Sequence, residues 1–396
     1  MKKYYILLAI ISLGLIACNK NSYTINGVVG GSKDGMLVYL YTTENTEKAV
    51  DSTVIKDGKF QLNGTVVSPE QHMIIINTTP NEKENPRKGM LRAVFYLENS
   101  KIDFLTHVDS MPSFYYNPDR IAKDPIIIGS ETEELAHSFR ESIKNFNNEQ
   151  KELFDQYLKK FHIPALEGKA DITEGIRISR ELNAIEAKLD TAKWNFIKQH
   201  TSSIVAFDFA KDYLSAFIVM LNQDQIKDLQ AIIEKKWKGT PQMQKFDELV
   251  KKALPVAIGA QFIDGELIDQ NGKTVKLSDT FKKGSYTMLE FWASWCGPCR
   301  GEIPHLKEVY KEYHNKNFEI ISISVDNKQE DWEKALEEEK MGWTQLRNAQ
   351  GFKGSIVDTY RITGVPYSML INPNGKIVNV DVRGAQLNIA LEDRKL

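Results

Sequence analysis

The sequence predicts an α/β domain at its C-terminus, preceded by a β-rich, sandwich-like domain and an α-helical middle region. Three changes of pattern carry this reading. Residues 23–128 form short apolar or alternating runs broken by turn residues, as in an antiparallel sandwich or barrel-like sheet. Residues 130–252 repeat apolar side chains at helical spacing. From residue 254 onward, near-continuous apolar strands alternate with helical runs, the order of an α/β layer. At 396 residues the chain exceeds one ordinary domain, and the divisions expected are 1–17, 18–128, 129–253 and 254–396. With 42% hydrophobic and 26% charged residues there is material for packed cores, and a net charge of −2 gives no electrostatic footprint for nucleic acid.

The first element is a targeting segment. Lys2 and Lys3 precede an apolar run, Tyr4 to Ile16, that is short for a membrane span. It ends in Leu15-Ile16-Ala17-Cys18, with a small residue directly before a cysteine. This ending resembles the lipobox of bacterial lipoproteins. The resemblance implies that 1–17 is a signal peptide, that Cys18 is lipidated, and that acyl chains hold the protein on a membrane without spanning it. The location expected is the cell envelope, facing the periplasm. Asn19, Lys20, Asn21 and Ser22 carry no acidic cluster, and the outer membrane is the favoured anchor. That compartment oxidises cysteine pairs by default.

The β-rich region follows. "YTINGVV" alternates, "MLVYLYT" is a short apolar strand, and "DGKFQLNGTVV" feeds a strand from a turn. "HMIIINT", "LRAVFYLE" and "KIDFLTHV" continue the pattern, and Asn99-Ser100 between the last two suggests a tight hairpin. The stretch 51–66 resembles a small β-domain of unknown function that precedes redox domains in envelope lipoproteins.

The middle region opens with Ser130-x-x-Glu133, a capping box, ahead of apolar residues from Leu135 to Phe161. Pro164 and Gly168 break the run. Further helices are expected around Ile178–Leu189, "SSIVAFDFAKDYL" and "NQDQIKDLQAIIEKKW", and Thr240-Pro241 starts a last one ending near Lys252. His137, His162 and His200 lack ligand spacing.

In the α/β region, Asn271-Gly272 marks an early hairpin. "YTMLEFW" and "FEIISISVD" read as buried central strands, "EDWEKALEEEK" and "FKGSIVDTY" as helices, and "YSMLINPNGKIVNV" as two strands around an Asn-Gly turn. The order is β-α-β-α-β-β-α, with a helix from about 297 directly behind the first core strand.

That junction reads Trp295-Cys296-Gly297-Pro298-Cys299, and apart from Cys18 the chain has no other cysteine. With Cys296 at a strand tip and Cys299 in the first helical turn, the spacing lets the two sulfurs bridge. The helix N-terminus favours a thiolate at Cys296, and Pro298 suits the first turn. Cys296 is then the partly exposed nucleophile and Cys299 the resolving thiol. A three-residue loop is a poor structural staple, and one Cys-x-x-Cys without a partner pair is half a zinc site at most, so no metal or other cofactor is expected. His305 and His314 read as exposed helix residues. Ala293 stands where a peroxidase of the peroxiredoxin type would have Thr.

"FWASWCGPC" resembles the active site of the thioredoxin family, which implies a thioredoxin-like fold and thiol-disulfide exchange. By that resemblance Glu290 takes the place of the buried acid behind the pair, able to relay the proton that Cys299 loses. Pro304 matches the proline that bends the active-site helix, and Gly364-Val365-Pro366 the cis-proline loop facing the cysteines. Glu302 and "NGKTVKLSD" are similar to the envelope reductases of the TlpA and ResA type. Those enzymes often carry Glu-Pro between the cysteines; Gly-Pro here favours a general reductant over a dedicated role in cytochrome c maturation. The site residues expected are therefore Cys296, Cys299, Glu290, Glu302 and Pro366 for catalysis, with Trp295, Gly297, Pro298 and Val365 against substrate. The partners implied are protein disulfides and a membrane thiol reductant of the DsbD or CcdA type. Disulfide isomerisation or oxidation, or a redox-sensing binding module, are the alternatives.

Overall fold

The computed structural model describes residues 21–82, 89–115, 117 and 119–396. The signal-like segment and Cys18 lie outside the described residues. The chain divides into two compact units, one ending at Glu141 and one spanning Ser142–Leu396.

The first unit is a sandwich of two four-stranded sheets. Its strands are β1 (Tyr23–Gly30), β2 (Leu37–Thr42), β3 (Asp51–Val54), β4 (Lys59–Gly64), β5 (Glu70–Asn77), β6 (Met90–Leu97), β7 (Lys101–His107) and β8 (Ile126–Ile128). The sheet orders are β4-β1-β7-β8 and β3-β2-β5-β6. Alternation does its expected work: β1 buries Tyr23, Ile25, Gly27 and Val29, and β4 buries Phe60 and Leu62. The inner faces share one core in which Phe104 packs against Phe60 and Phe95 at ring separations of 5.8 and 6.3 Å.

Two sequence expectations fail here. Asn99-Ser100 is not a hairpin turn, because β6 and β7 belong to different sheets; β7 instead pairs in parallel with β1. Local turn chemistry is the same for a hairpin and for a sheet-to-sheet corner, and pairing across 77 residues decides between them. The Ser130–Glu133 capping box is also only half formed. Ser130 Oγ accepts the Glu133 N–H at 3.1 Å, but Glu133 Oε2 accepts from the Tyr96 N–H at 2.8 Å, tying the helix start to β6.

Helix α1 (Glu131–Tyr157) leads through one π-helical turn (Leu158–His162) into α2 (Ile163–Leu166). Then come α3 (Ile172–Gln199), α4 (Ile204–Ser215), α5 (Gln223–Trp237) and α6 (Pro241–Ala253). Thr240 caps α6 through the Met243 N–H with Pro241 in the first turn, as the sequence indicated. Among the described residues no helix is long and apolar enough to cross a membrane.

The rest of the second unit is one seven-stranded sheet. Its elements are β9 (Glu266–Asp269), β10 (Thr274–Lys276), β11 (Tyr286–Trp292), α7 (Gly297–Tyr313), β12 (Phe318–Ser324), α8 (Gln329–Glu339), β13 (Thr344–Arg347), α9 (Ser355–Thr359), β14 (Tyr367–Ile371), β15 (Ile377–Val380) and α10 (Ala385–Glu392). The order is β10-β9-β13-β12-β11-β14-β15, with β11, β12 and β13 parallel and β14 antiparallel to β11. Strand β13 was absent from the sequence expectation. "TQLR" is polar and only four residues long; its strand character comes from pairing beside β12. The helical segment packs onto this layer. Asn183 and Gln386 exchange amide hydrogen bonds of 3.1 and 2.7 Å, and Arg180 pairs with Glu392 and Asp393.

Candidate active site

Strand β11 is buried along nearly its whole length and delivers the chain to α7 at the C-terminal edge of the sheet. Cys296 is the N-cap of α7, extended at φ −83° and ψ 93°. Its Sγ accepts the Cys299 N–H at 3.2 Å, and its carbonyl accepts the Arg300 N–H at 3.0 Å. One helical turn brings the Cys299 Cα within 5.3 Å of the Cys296 Cα, and the two residues are joined as a disulfide. Gly297 and Pro298 are exposed in the first turn, where a missing N–H breaks no helical bond.

The expected exposure of Cys296 is corrected: it is only 4% accessible and Cys299 is fully buried. The Cys296 sulfur turns inward to the helix N-terminus and to Cys299. The residue that stands in solvent is Trp295, 62% exposed, with Phe352 next to it at a ring separation of 6.1 Å.

The loop before Cys296 is tied down by a residue the sequence reading missed. Asp326, buried just past the end of β12, accepts the Ser294 N–H at 2.8 Å and the Ser294 hydroxyl at 2.7 Å. It also accepts the Ser324 hydroxyl at 2.7 Å.

Glu290 lies mid-strand on β11, directly beside Ser322 of β12. The Ser322 hydroxyl donates to Glu290 Oε2 at 2.6 Å, and Ser322 Oγ accepts the Trp343 indole N–H at 2.8 Å. An indole N–H can only donate, so the single serine proton is committed to Glu290. Burial pushes the Glu290 carboxyl up to about 7; the Ser322 hydrogen bond pulls it down and the negative charge of Glu302 pushes it up. Ser322, Ser324 and Asp326 stand two apart, alternating with Ile323 and Val325, at the C-terminal end of core strand β12. That period-2 polar line was the available signal for both networks.

Glu302 is half-buried on α7 and accepts the Gly384 N–H before α10. Its charge reaches Glu290, Tyr157, His305 and Arg383. His305 corrects another expectation. It is buried, its Nε2 faces the Gly384 carbonyl at 3.1 Å, and its ring packs edge-on against Phe161 at 5.8 Å. A carbonyl only accepts, so Nε2 carries the proton, and burial lowers the His305 pKa. His314 is part-buried instead of exposed, against Glu319 at 3.1 Å.

The Val365–Pro366 peptide bond is cis. Phe291 lies opposite Tyr367 in the β11–β14 pairing, so Pro366 emerges at the sheet edge that carries the cysteine loop. Val365 is half-buried against the core of this unit. Among the described residues no group of three or more His, Cys, Asp or Glu side chains could hold a metal ion.

The family described as AhpC/TSA matches residues 258–380, and a domain of unknown function, DUF4369, matches residues 23–135. The chain is 36% identical over 120 residues to the thiol-disulfide oxidoreductase ResA of Oceanobacillus iheyensis, covering 30% of this chain and 58% of that protein. It is 31% identical over 135 residues to the ResA of Bacillus subtilis, covering 32% of this chain and 68% of that one. The chain belongs to the ResA thiol-disulfide oxidoreductase family. Its ResA-like part is the C-terminal thioredoxin-like fold, while the sandwich corresponds to the domain of unknown function. The crystal structure of a thioredoxin domain from a Bacteroides vulgatus thiol-disulfide oxidoreductase is also similar, at 36% identity and a TM-score of 0.33, covering 35% of this chain and 97% of that one.

Proposed function

We propose that this chain is a cell-envelope protein-disulfide reductase, tethered through lipid on Cys18 with its α/β domain in the periplasm. The observation that carries the reading is the Cys296–Cys299 pair at the N-terminus of α7, with Cys296 Sγ accepting a helix N–H. The dipole and that N–H favour the thiolate over the thiol at Cys296.

In the reduced protein the Cys296 thiolate attacks one sulfur of a substrate disulfide. The substrate S–S bond breaks, a mixed disulfide forms on Cys296, and one substrate thiolate leaves and takes a proton. Cys299 then attacks the Cys296 sulfur, releasing the second substrate thiolate and closing the Cys296–Cys299 disulfide. The substrate gains two electrons and the protein loses two. Glu290, with its carboxyl poised near neutrality, takes the Cys299 proton in this step. The cis-proline loop at Val365–Pro366 and the exposed Trp295 border the substrate segment. A membrane dithiol of the DsbD or CcdA type returns the pair to the reduced state, since the compartment itself oxidises it.

Insulin-disulfide reduction by the full chain and by Cys296→Ser tests the reading. Turnover by the wild type that is lost in Cys296→Ser supports it; no turnover above background by the wild type overturns it.

A further inference from the structure

The helical segment reaches the edge of the sheet where the cysteines lie. After α4 the chain runs through Ala216–Leu221, and Phe217 packs edge-on against Tyr367 at a ring separation of 5.9 Å. Tyr367 in turn contacts Phe291 of β11 at 6.1 Å. The Phe217 ring also lies against Gly364, two residues before the cis-proline, where an added Cβ would meet two ring carbons at 3.6 Å. Arg361 fixes the approach, its guanidinium donating to the Leu214 carbonyl at 3.0 Å.

Packed on these partners, Phe217 is still 46% exposed, and Met220 three residues on is 56% exposed. Trp295 and Phe352 are the exposed apolar rings beside Cys296 at the same sheet edge. The Cys296–Cys299 disulfide is almost inaccessible. Apolar rings left in water around a buried reactive group favour a partner that covers them. The backbone at 364–366 lies outside the ladder, since β14 starts at Tyr367, and can take hydrogen bonds from an extended segment.

We propose that Phe217 is a specificity-determining residue of the exchange site, and that the substrates are extended polypeptide disulfides with an apolar side chain next to the attacked cysteine. The inference rests on the reductase reading above. Phe217 touches the cis-proline loop and the substrate side chain, and the helical region thereby supplies one wall of a site whose sulfurs come from the α/β domain.

Two synthetic peptide disulfides, identical except for Leu or Asp beside the cysteine, test it in the full chain. Wild type is expected to reduce the Leu peptide with a kcat/KM about fivefold higher, the worth of partly burying one such side chain. In Phe217→Ala the preference falls below about twofold, and Phe217→Leu, which keeps the apolar wall, retains it. A wild type that treats the peptides alike, or a Phe217→Ala that keeps the full preference, overturns the proposal. Reduction of neither peptide by the wild type is a different result, because it overturns the exchange reading and not the choice of wall.

Discussion

Glu290→Gln isolates the electrostatic cost at the centre of the sheet. The glutamine carbonyl still accepts the Ser322 hydroxyl, so volume and the 2.6 Å contact are kept while the titrating group is removed. In the unfolded chain the carboxyl titrates near 4.5; in the fold burial raises it to about 7. Below 4.5 both states hold the proton and the group contributes nothing to the pH dependence. Between 4.5 and 7 the unfolded state releases a proton that the folded state keeps, so stability falls as pH rises, and above 7 the loss is complete. At ~1.4 kcal/mol per pH unit the interval amounts to about 3 kcal/mol. The variant should therefore gain about 3 kcal/mol on the wild type between pH 4.5 and pH 8.5. All six tryptophans lie in Ser142–Leu396, so urea unfolding followed by tryptophan fluorescence reads this unit alone. A stability difference between the two proteins that stays flat across this range, or that grows towards acid pH, refutes the assignment of a buried, high-pKa carboxyl.

Removing the Ser322 hydroxyl in Ser322→Ala takes away the interaction that lowers the Glu290 pKa, worth about 1.5–3 kcal/mol for a hydrogen bond to a charged group. The Glu290 titration, followed by infrared absorption of its carboxyl, should move up by about one to two pH units; no movement would disconnect the two residues. Asp326→Asn keeps the shape but offers one acceptor oxygen where three hydrogen bonds now end, and should cost about 1–3 kcal/mol in urea unfolding together with slower insulin reduction. Gly129→Ala should destabilise the sandwich by about 2 kcal/mol or more in thermal unfolding followed by circular dichroism. Gly129 has φ +94°, and an added Cβ would stand 2.1 Å from the Lys101 carbonyl oxygen.

The parts of the fold that the sequence made legible are those fixed by local rules. Alternation located the strands of the sandwich core, Thr240-Pro241 located the start of α6, and Asn271-Gly272 located the β9–β10 turn. Strand β13 escaped because the four residues "TQLR" show neither alternation nor an apolar run, and their place beside β12 makes them a strand. The corner at Asn99-Ser100 read as a hairpin because turn residues specify a change of direction and not the identity of the partner strand.

The sequence by itself determined the placement of the two sulfurs. Two cysteines at helical spacing behind a buried strand, with proline in the first turn, come within bonding distance whatever surrounds them, because bond lengths and helix geometry are local. Only the tertiary structure decided its environment. Ser322 reaches Glu290 because two strands 32 residues apart pair in parallel register, and Trp343 joins them from the segment entering β13. The exposure of the sulfurs was settled the same way. Cys296 is buried and Trp295 is not, since which of two adjacent residues faces water depends on how Ser294 of the loop is pinned to Asp326 across the sheet. Residue type marks Ser322, Ser324 and Asp326 as a polar line on a core strand, but pairing at long sequence separation decides what that line holds, and so its partners, Glu290 and the cysteine loop, emerge only once the sheet is assembled.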